Sequence, residues 1–215
     1  MNTKIRAIFF DLDGTLVDTE PLKFVAHHDV LESHGGRLNP DDYTKVIGQS
    51  HDLVRSHFLK MNRIEMPSDD YDRLWEKRYI EQVRLATQAY PDGIEFLQQT
   101  KNKRLKCVLV TSSDRTSMEA VLETTGLKQY FDATVSADDV QNHKPDPEPY
   151  EHALQLLELL PSEAIVVEDS PTGYASAIAA KIPVVIHRHK ANQQDLFPLA
   201  IREFENFSEI IDLLL

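Results

Sequence analysis

The chain has 215 residues, 41% of them hydrophobic and 27% charged, with a formal net charge of -12 at pH 7. That length buries a sizeable core, as one large domain or a core with a smaller insert, and the composition excludes a disordered chain. The acidic balance argues against nucleic acid and anionic membranes as partners, because both require a basic footprint.

The first predicted element is a strand over Ile5 to Phe10, which ends in Asp11-Leu12-Asp13-Gly14-Thr15. Two carboxylates at the end of a buried strand cost desolvation and repulsion unless a cation, a hydrogen-bond network or a shared proton compensates them. The early acidic turn also interrupts any signal-peptide apolar region, and no stretch approaches the ~20 apolar residues of a membrane span. A cytoplasmic protein is expected.

Residues 17–89 carry four helical patterns in succession and no convincing strand, which predicts an inserted helical domain. Thr19 and Pro21 open the first helix, with Leu22, Val25, Ala26 and Val30 on one face and Gly35-Gly36 at its end. Asn39-Pro40 opens a second helix, stopped at Gly48. Ser50 is placed to cap a third carrying Leu53, Val54, His57, Phe58 and Met61, and Ser68 a fourth carrying Tyr71, Leu74, Trp75 and Tyr79.

Tyr90-Pro91-Asp92-Gly93 then returns the chain to its core. Strands are predicted at Leu105 to Val110, Ala133 to Val135, Ala164 to Val167 and Val184 to Ile186, alternating with helical periods at Ile94/Leu97, Met118/Val121/Leu122 and Ala153/Leu154/Leu157. Apolar runs without alternation suit strands covered on both faces of a parallel sheet. The pattern is that of an α/β protein with a doubly wound, Rossmann-like parallel sheet. Residues 1–16 and 90–215 form the expected catalytic core, and 17–89 the helical cap domain. Cys107, the sole cysteine, falls inside the second run, so it forms no disulfide, packs in the core and implies a reducing compartment.

Ligands of open parallel sheets bind beyond the carboxyl ends of the strands. Those ends carry Asp11 and Asp13, then Thr111-Ser112-Ser113, then Glu168-Asp169, with Lys144-Pro145 in the loop before the fourth strand. Four carboxylates, a hydroxyl and an ammonium suit a hard cation such as Mg²⁺ together with a phosphoryl group. Asp11 is placed to attack phosphorus, and Asp13 to protonate the leaving oxygen and later deprotonate water.

Each motif alone has a plainer reading: a polar turn at Asp11 to Gly14, a helix cap at Ser113, a solvated charge at Lys144 and a helix N-terminus at Glu168-Asp169. A calcium loop is excluded, because Leu16 and Leu22 stand where Gly and Glu are needed. His27, His28 and His57 read as packing or surface, and His51 as a candidate substrate contact.

The four stretches DLDGT with the following LVDTEP, LVTSS, HKPDPEPY and VVEDSPTG occur in this order over nearly the whole chain. On these motifs the chain is identified as a member of the haloacid dehalogenase superfamily, in its phosphatase and β-phosphoglucomutase-like branch with a helical cap. The resemblance implies that Asp11 is the phosphorylated nucleophile and Asp13 the general acid and base, its carbonyl also reaching Mg²⁺. Thr111, with Ser112 beside it, and Lys144 would hold phosphoryl oxygens, Asp169 would bind the metal, and Glu168 would be a ligand or an orienting partner. The insert would act as a mobile lid over the active site.

Mutases of the β-phosphoglucomutase type present a cap arginine after a Gly-x-Ser element, whereas Gly48-Gln49-Ser50 is followed here by His51. The expected function is therefore a Mg²⁺-dependent phosphatase acting on a small phosphomonoester, a sugar phosphate or similar metabolite, through an aspartyl-phosphate. A phosphosugar mutase is the alternative, with Arg115 and Lys77 as holders of a second phosphate. A carbon-attacking dehalogenase would resemble the first motif but lack the second aspartate, and a receiver-type phosphoacceptor would carry no helical insert. A monomer or weak dimer is expected.

Overall fold

The first apolar run becomes β1 (Ala7–Phe10), whose four residues are all buried. Ala7 and Phe9 join a cluster with Val108, Val110, Val166, Val184 and Tyr150, while the Phe10 ring meets Phe96 and Phe131 edge-on at 6.1 and 6.2 Å. Both faces of the strand are covered, so no polar alternation is tolerated. Each of the buried Ile, Val and Phe side chains contributes about 1.5–3 kcal/mol. The computed structural model describes residues 4–47 and 50–215. The chain forms two compact units, Thr19–Thr87 and a unit that runs to Asp18 and resumes at Gln88.

The inserted unit is helical. It comprises α1 (Glu20–Ser33), α2 (Pro40–Thr44), α3 (His51–Asn62) and α4 (Ser68–Ala86). Asn39 caps α2 by accepting the Asp42 N–H at 2.9 Å, and the predicted stop at Gly48 lies outside the described residues. Ser50 stands at the N-cap of α3 without a capping side-chain bond. Ser68 is the first residue of α4 and not its cap, a place taken by Pro67. The core of this unit holds Val30, Leu31, Tyr43, Val54, Phe58 and Tyr71. The predicted apolar face of α3 is corrected by about one position, since Leu53 and Met61 are exposed and Val54, Arg55 and Phe58 are buried.

The remaining elements are α5 (Pro91–Asn102), β2 (Lys106–Val110), α6 (Arg115–Thr125), β3 (Ala133–Val135), α7 (Glu148–Leu157), β4 (Ala164–Glu168), α8 (Pro171–Ala179), β5 (Val184–His187), β6 (Arg202–Phe204) and α9 (Ile211–Leu214). Among the described residues the strands form one sheet in the order β3-β2-β1-β4-β5-β6, and every pairing is parallel. This is a doubly wound α/β sheet with a helical insertion after its first strand. β6 escapes the sequence patterns because it is a three-residue edge with Arg202 and Glu203 exposed, the way an edge discourages further pairing. Cys107 is buried, and burial pushes its thiol up to about 12, so it is unreactive packing. No described helix is long and apolar enough to cross a membrane.

Candidate active site

β1 lies between β2 and β4, where the strand order reverses, so its carboxyl end opens on the crevice typical of ligand sites. The Asp11 N–H continues the ladder by donating to Val167 O at 3.0 Å, which draws the Asp11 carboxylate into the interior. The chain then turns sharply. Gly14 N–H donates to Val17 O at 2.7 Å and Leu16 N–H to Leu12 O at 2.9 Å. Gly14 has φ +85°, and a Cβ there would lie 2.2 Å from Asp169 Oδ2, so only glycine permits both the turn and the approach of that carboxylate.

Lys144, which in isolation reads as a solvated loop charge, is buried with its side chain 2% exposed. Its ammonium donates to Asp11 Oδ1 at 2.8 Å, Val110 O at 2.8 Å and Glu168 Oε1 at 2.6 Å. Burial alone would lower its pKa, but Asp11 and Glu168 raise it well above the ordinary lysine value. It stays charged. The Tyr150 ring lies 5.0 Å from the ammonium, and its hydroxyl donates to Glu168 Oε1 at 3.0 Å. No sequence signal assigned Tyr150 a role.

Glu168 is fully buried at the end of β4, and its Oε2 receives the N–H groups of Asp169 and Ser170 and the Ser170 hydroxyl at 3.0–3.1 Å. Burial would raise its pKa, but Lys144 and the neighbouring N–H donors hold it below the usual glutamate value. A Cβ on Gly173 would meet Glu168 Oε1 at 1.6 Å, so the glycine at the start of α8 makes room for it. Five donors fill Glu168, the Lys144 ammonium and the Tyr150 hydroxyl on Oε1 and three more on Oε2, which suits a group that orients and neutralises Lys144. Of the two roles expected for it, the hydrogen bonds favour the orienting one. Removing Glu168, the partner held in its charged form, would cost about 3–5 kcal/mol.

Asp169 accepts from Thr15 Oγ1 at 3.2 Å and pairs with His189 Nε2 at 2.8 Å. Burial lifts its pKa to about 6, with Glu168 adding to the rise and His189 and Thr15 opposing it. Burial, Glu168, Asp169 and Asp13 together lift Asp11 well above the carboxylate range against the pull of Lys144. Oxygens of Asp11, Glu168 and Asp169 lie within 4.8 Å of one another. Carboxylates that resist joint ionisation and offer only oxygen donors fit a small divalent cation, which would reverse the penalty. With Glu168 filled by five donors, Asp11 and Asp169, which carry fewer, are the side chains most able to hold it.

Thr111 follows β2 and is buried, and its Oγ1 accepts the Ser113 N–H at 3.1 Å. Ser113 departs from its expected capping role: Asp114 caps α6 by accepting the Ser117 N–H at 2.8 Å, and the Ser113 hydroxyl donates to Asp13 Oδ2 at 2.9 Å. The sequence placed Ser113 at the right strand end with the wrong partner. Ser112 is exposed beside it. Arg115 sits in the first turn of α6 and is paired with Asp139. In the helical unit, His51 Nε2 pairs with Asp72 at 2.8 Å, and Lys77 is exposed on α4. The Gly48-Gln49 portion of the Gly-x-Ser element lies outside the described residues.

The profile of the haloacid dehalogenase-like hydrolases matches residues 8–187. A phosphorylated carbohydrates phosphatase of Thermotoga maritima is 33% identical over 183 residues, covering 83% of this chain and 82% of its own. Pyrophosphatase PpaX of Bacillus cereus is 31% identical over 169 residues, covering 78% and 76%. A solved Thermotoga maritima structure described as a "putative beta-phosphoglucomutase" superposes with a TM-score of 0.83 at 30% identity, covering 98% of each chain. With the profile spanning nearly the whole sheet and the relatives spanning both units, the chain belongs to the haloacid dehalogenase-like hydrolases and is an enzyme of that family.

Proposed function

We propose that this chain is a Mg²⁺-dependent phosphatase that hydrolyses a small phosphomonoester, a sugar phosphate or similar metabolite, through an aspartyl-phosphate on Asp11. The observation that carries this reading is the convergence of Asp11, Lys144 and Asp169 beyond the ends of adjacent parallel strands. Lys144 binds one oxygen of Asp11, and the other attacks phosphorus as the bond to the leaving oxygen breaks. Asp13, steadied by Ser113, gives its proton to that oxygen. Water then attacks phosphorus while Asp13 takes back a proton, and the bond to Asp11 breaks. Thr111 and Lys144 hold the phosphoryl oxygens. Mg²⁺, held by Asp11, Asp169 and the Asp13 carbonyl, would neutralise the phosphoryl charge.

A screen of phosphorylated metabolites and pyrophosphate, measuring phosphate release with Mg²⁺ and with excess chelator, tests this. Multiple-turnover release from a phosphomonoester that stops with chelator is the expected result. Undiminished turnover in chelator would remove the metal from the mechanism. The likeness to the structure described as a phosphoglucomutase supports a second reading, a phosphosugar mutase. His51 in place of a cap arginine weighs against it. Conversion of one sugar phosphate into an isomer, without net phosphate release, would establish the mutase.

A further inference from the structure

We propose that His189 is a positioning residue for Asp169, whose hydrogen bond fixes the carboxylate orientation on which divalent-cation affinity depends. The inference rests on the assignment of Asp169 as a cation ligand. His189 Nδ1 accepts the Ala191 N–H at 3.3 Å. A nitrogen that accepts carries no proton, so Nε2 bears it and donates to Asp169 Oδ2 at 2.8 Å. That same proton makes the imidazole a donor to the carboxylate and not a ligand.

The imidazole is itself held in place. His189 N–H donates to Asn192 Oδ1 at 3.0 Å, and Asn192 Nδ2 donates to Asp169 O and His187 O, both at 2.8 Å. One buried amide thus ties the main chain of Asp169 to the segment that presents His189. Thr15 holds the other Asp169 oxygen from the opposite segment, and the missing Cβ of Gly14 leaves the space both groups need, since it would lie 3.2 Å from His189 Nε2. Each carboxylate oxygen therefore has a donor from a different loop. Hydrogen-bond partners of metal-binding carboxylates commonly change metal affinity 10–100-fold when removed.

Calorimetric titration of the full chain with MgCl₂, in the absence of substrate, reads this directly. His189→Ala is expected to weaken Mg²⁺ binding about 10- to 100-fold with an unchanged circular dichroism spectrum. His189→Gln, whose Nε2 reaches the position of the imidazole Nε2, is expected to restore affinity to within a few fold of the parent. Parent-like binding by His189→Ala, or a His189→Gln as weak as His189→Ala, overturns the proposal. If Asp169→Asn abolishes binding while His189→Ala leaves it intact, only the role of His189 falls. Absence of Mg²⁺ binding by the parent removes both that role and the metal from the proposed function.

Discussion

The two units bury polar groups in opposite ways. In the α/β unit the buried groups are crowded around one charge: Lys144 and Glu168 are held in their charged forms, while Asp11 and Asp169, within reach of them, have their ionisation opposed by burial and by one another. In the helical unit, a deeply buried histidine gives up its charge. His27 lies among Tyr43, Phe58 and Trp75, bonds the Tyr71 hydroxyl through Nδ1 at 2.8 Å, and is driven down to about 3 by burial, with His51 adding to the fall. A neutral imidazole satisfied by a phenol is a packing solution. Three carboxylates around one ammonium leave excess charge in a low-dielectric site, which a fold retains where a ligand compensates it.

If that contrast is functional, removing a buried charge from the α/β unit should abolish chemistry without harming the fold. Asp11→Asn retains the size and one acceptor for Lys144 but cannot form an acyl phosphate. Turnover is expected to fall by about 10⁴-fold or more. The metal-free melting temperature should not drop, because the raised pKa of Asp11 shows that its ionised form is disfavoured there. A variant that melts well below the parent without metal would mean that the carboxylate is structural. Asp13→Asn removes the proton carrier while keeping the main-chain carbonyl, so phosphate release from an alkyl phosphate should fall ~10²- to 10⁴-fold. The loss should be smaller for an aryl phosphate, with a burst as the phosphorylated enzyme accumulates. Equal loss on both substrates would break the assignment of Asp13.

The charged strand ends were legible because a carboxylate or hydroxyl directly after an apolar run is placed by the strand itself. Asp11, Thr111 and Asp169 follow β1, β2 and β4 in that way. Lys144 was legible from its place in the loop before the fourth strand and from its motif, but nothing local to a proline-rich loop forecasts burial against Glu168. Tyr150 closes the third motif but had no role assigned to it, and His189 and Asn192 gave no signal. They reach the site from α7 and from the segment after β5, and only the folded sheet brings that segment beside Asp169. Ser113 shows the limit of local rules most directly, because helix-capping statistics fit it well and a tertiary partner, Asp13, claims its hydroxyl. The helical unit was legible in its elements and less so in its faces, where α3 is rotated by about one residue from the predicted stripe.

Ser113→Ala sharpens the comparison at an intermediate scale. A hydrogen bond to a charged group contributes about 1.5–3 kcal/mol, which corresponds to roughly 10- to 100-fold in turnover if it steadies Asp13 during proton transfer. The effect should appear in kcat measured by steady-state kinetics and be absent in an Asp13→Asn background, since Ser113 acts through that carboxylate. Additive losses in the double variant would place Ser113 in a separate role.

The smallest expected effect belongs to the helical unit. His27 is neutral in the fold with a pKa near 3 and has an ordinary value of 6.5 when unfolded, so the unfolded chain binds more protons between these limits. Stability from its burial is complete above pH 6.5 and is lost as the pH falls through that window. One pH unit below 6.5 the loss is about 1.4 kcal/mol. Urea unfolding followed by the fluorescence of Trp75, the chain's single tryptophan and a neighbour of His27 at 5.3 Å between ring centroids, reports on this unit. His27→Phe removes the titration while keeping an aromatic ring in the same packing, at the cost of the Tyr71 bond at every pH. The parent should therefore lose about 1.4 kcal/mol more than the variant between pH 7.5 and 5.5, even though the variant starts from lower stability. A parallel pH dependence in the two proteins would show that His27 accepts a proton without leaving its site, and the contrast between the units would then rest on the α/β charges alone.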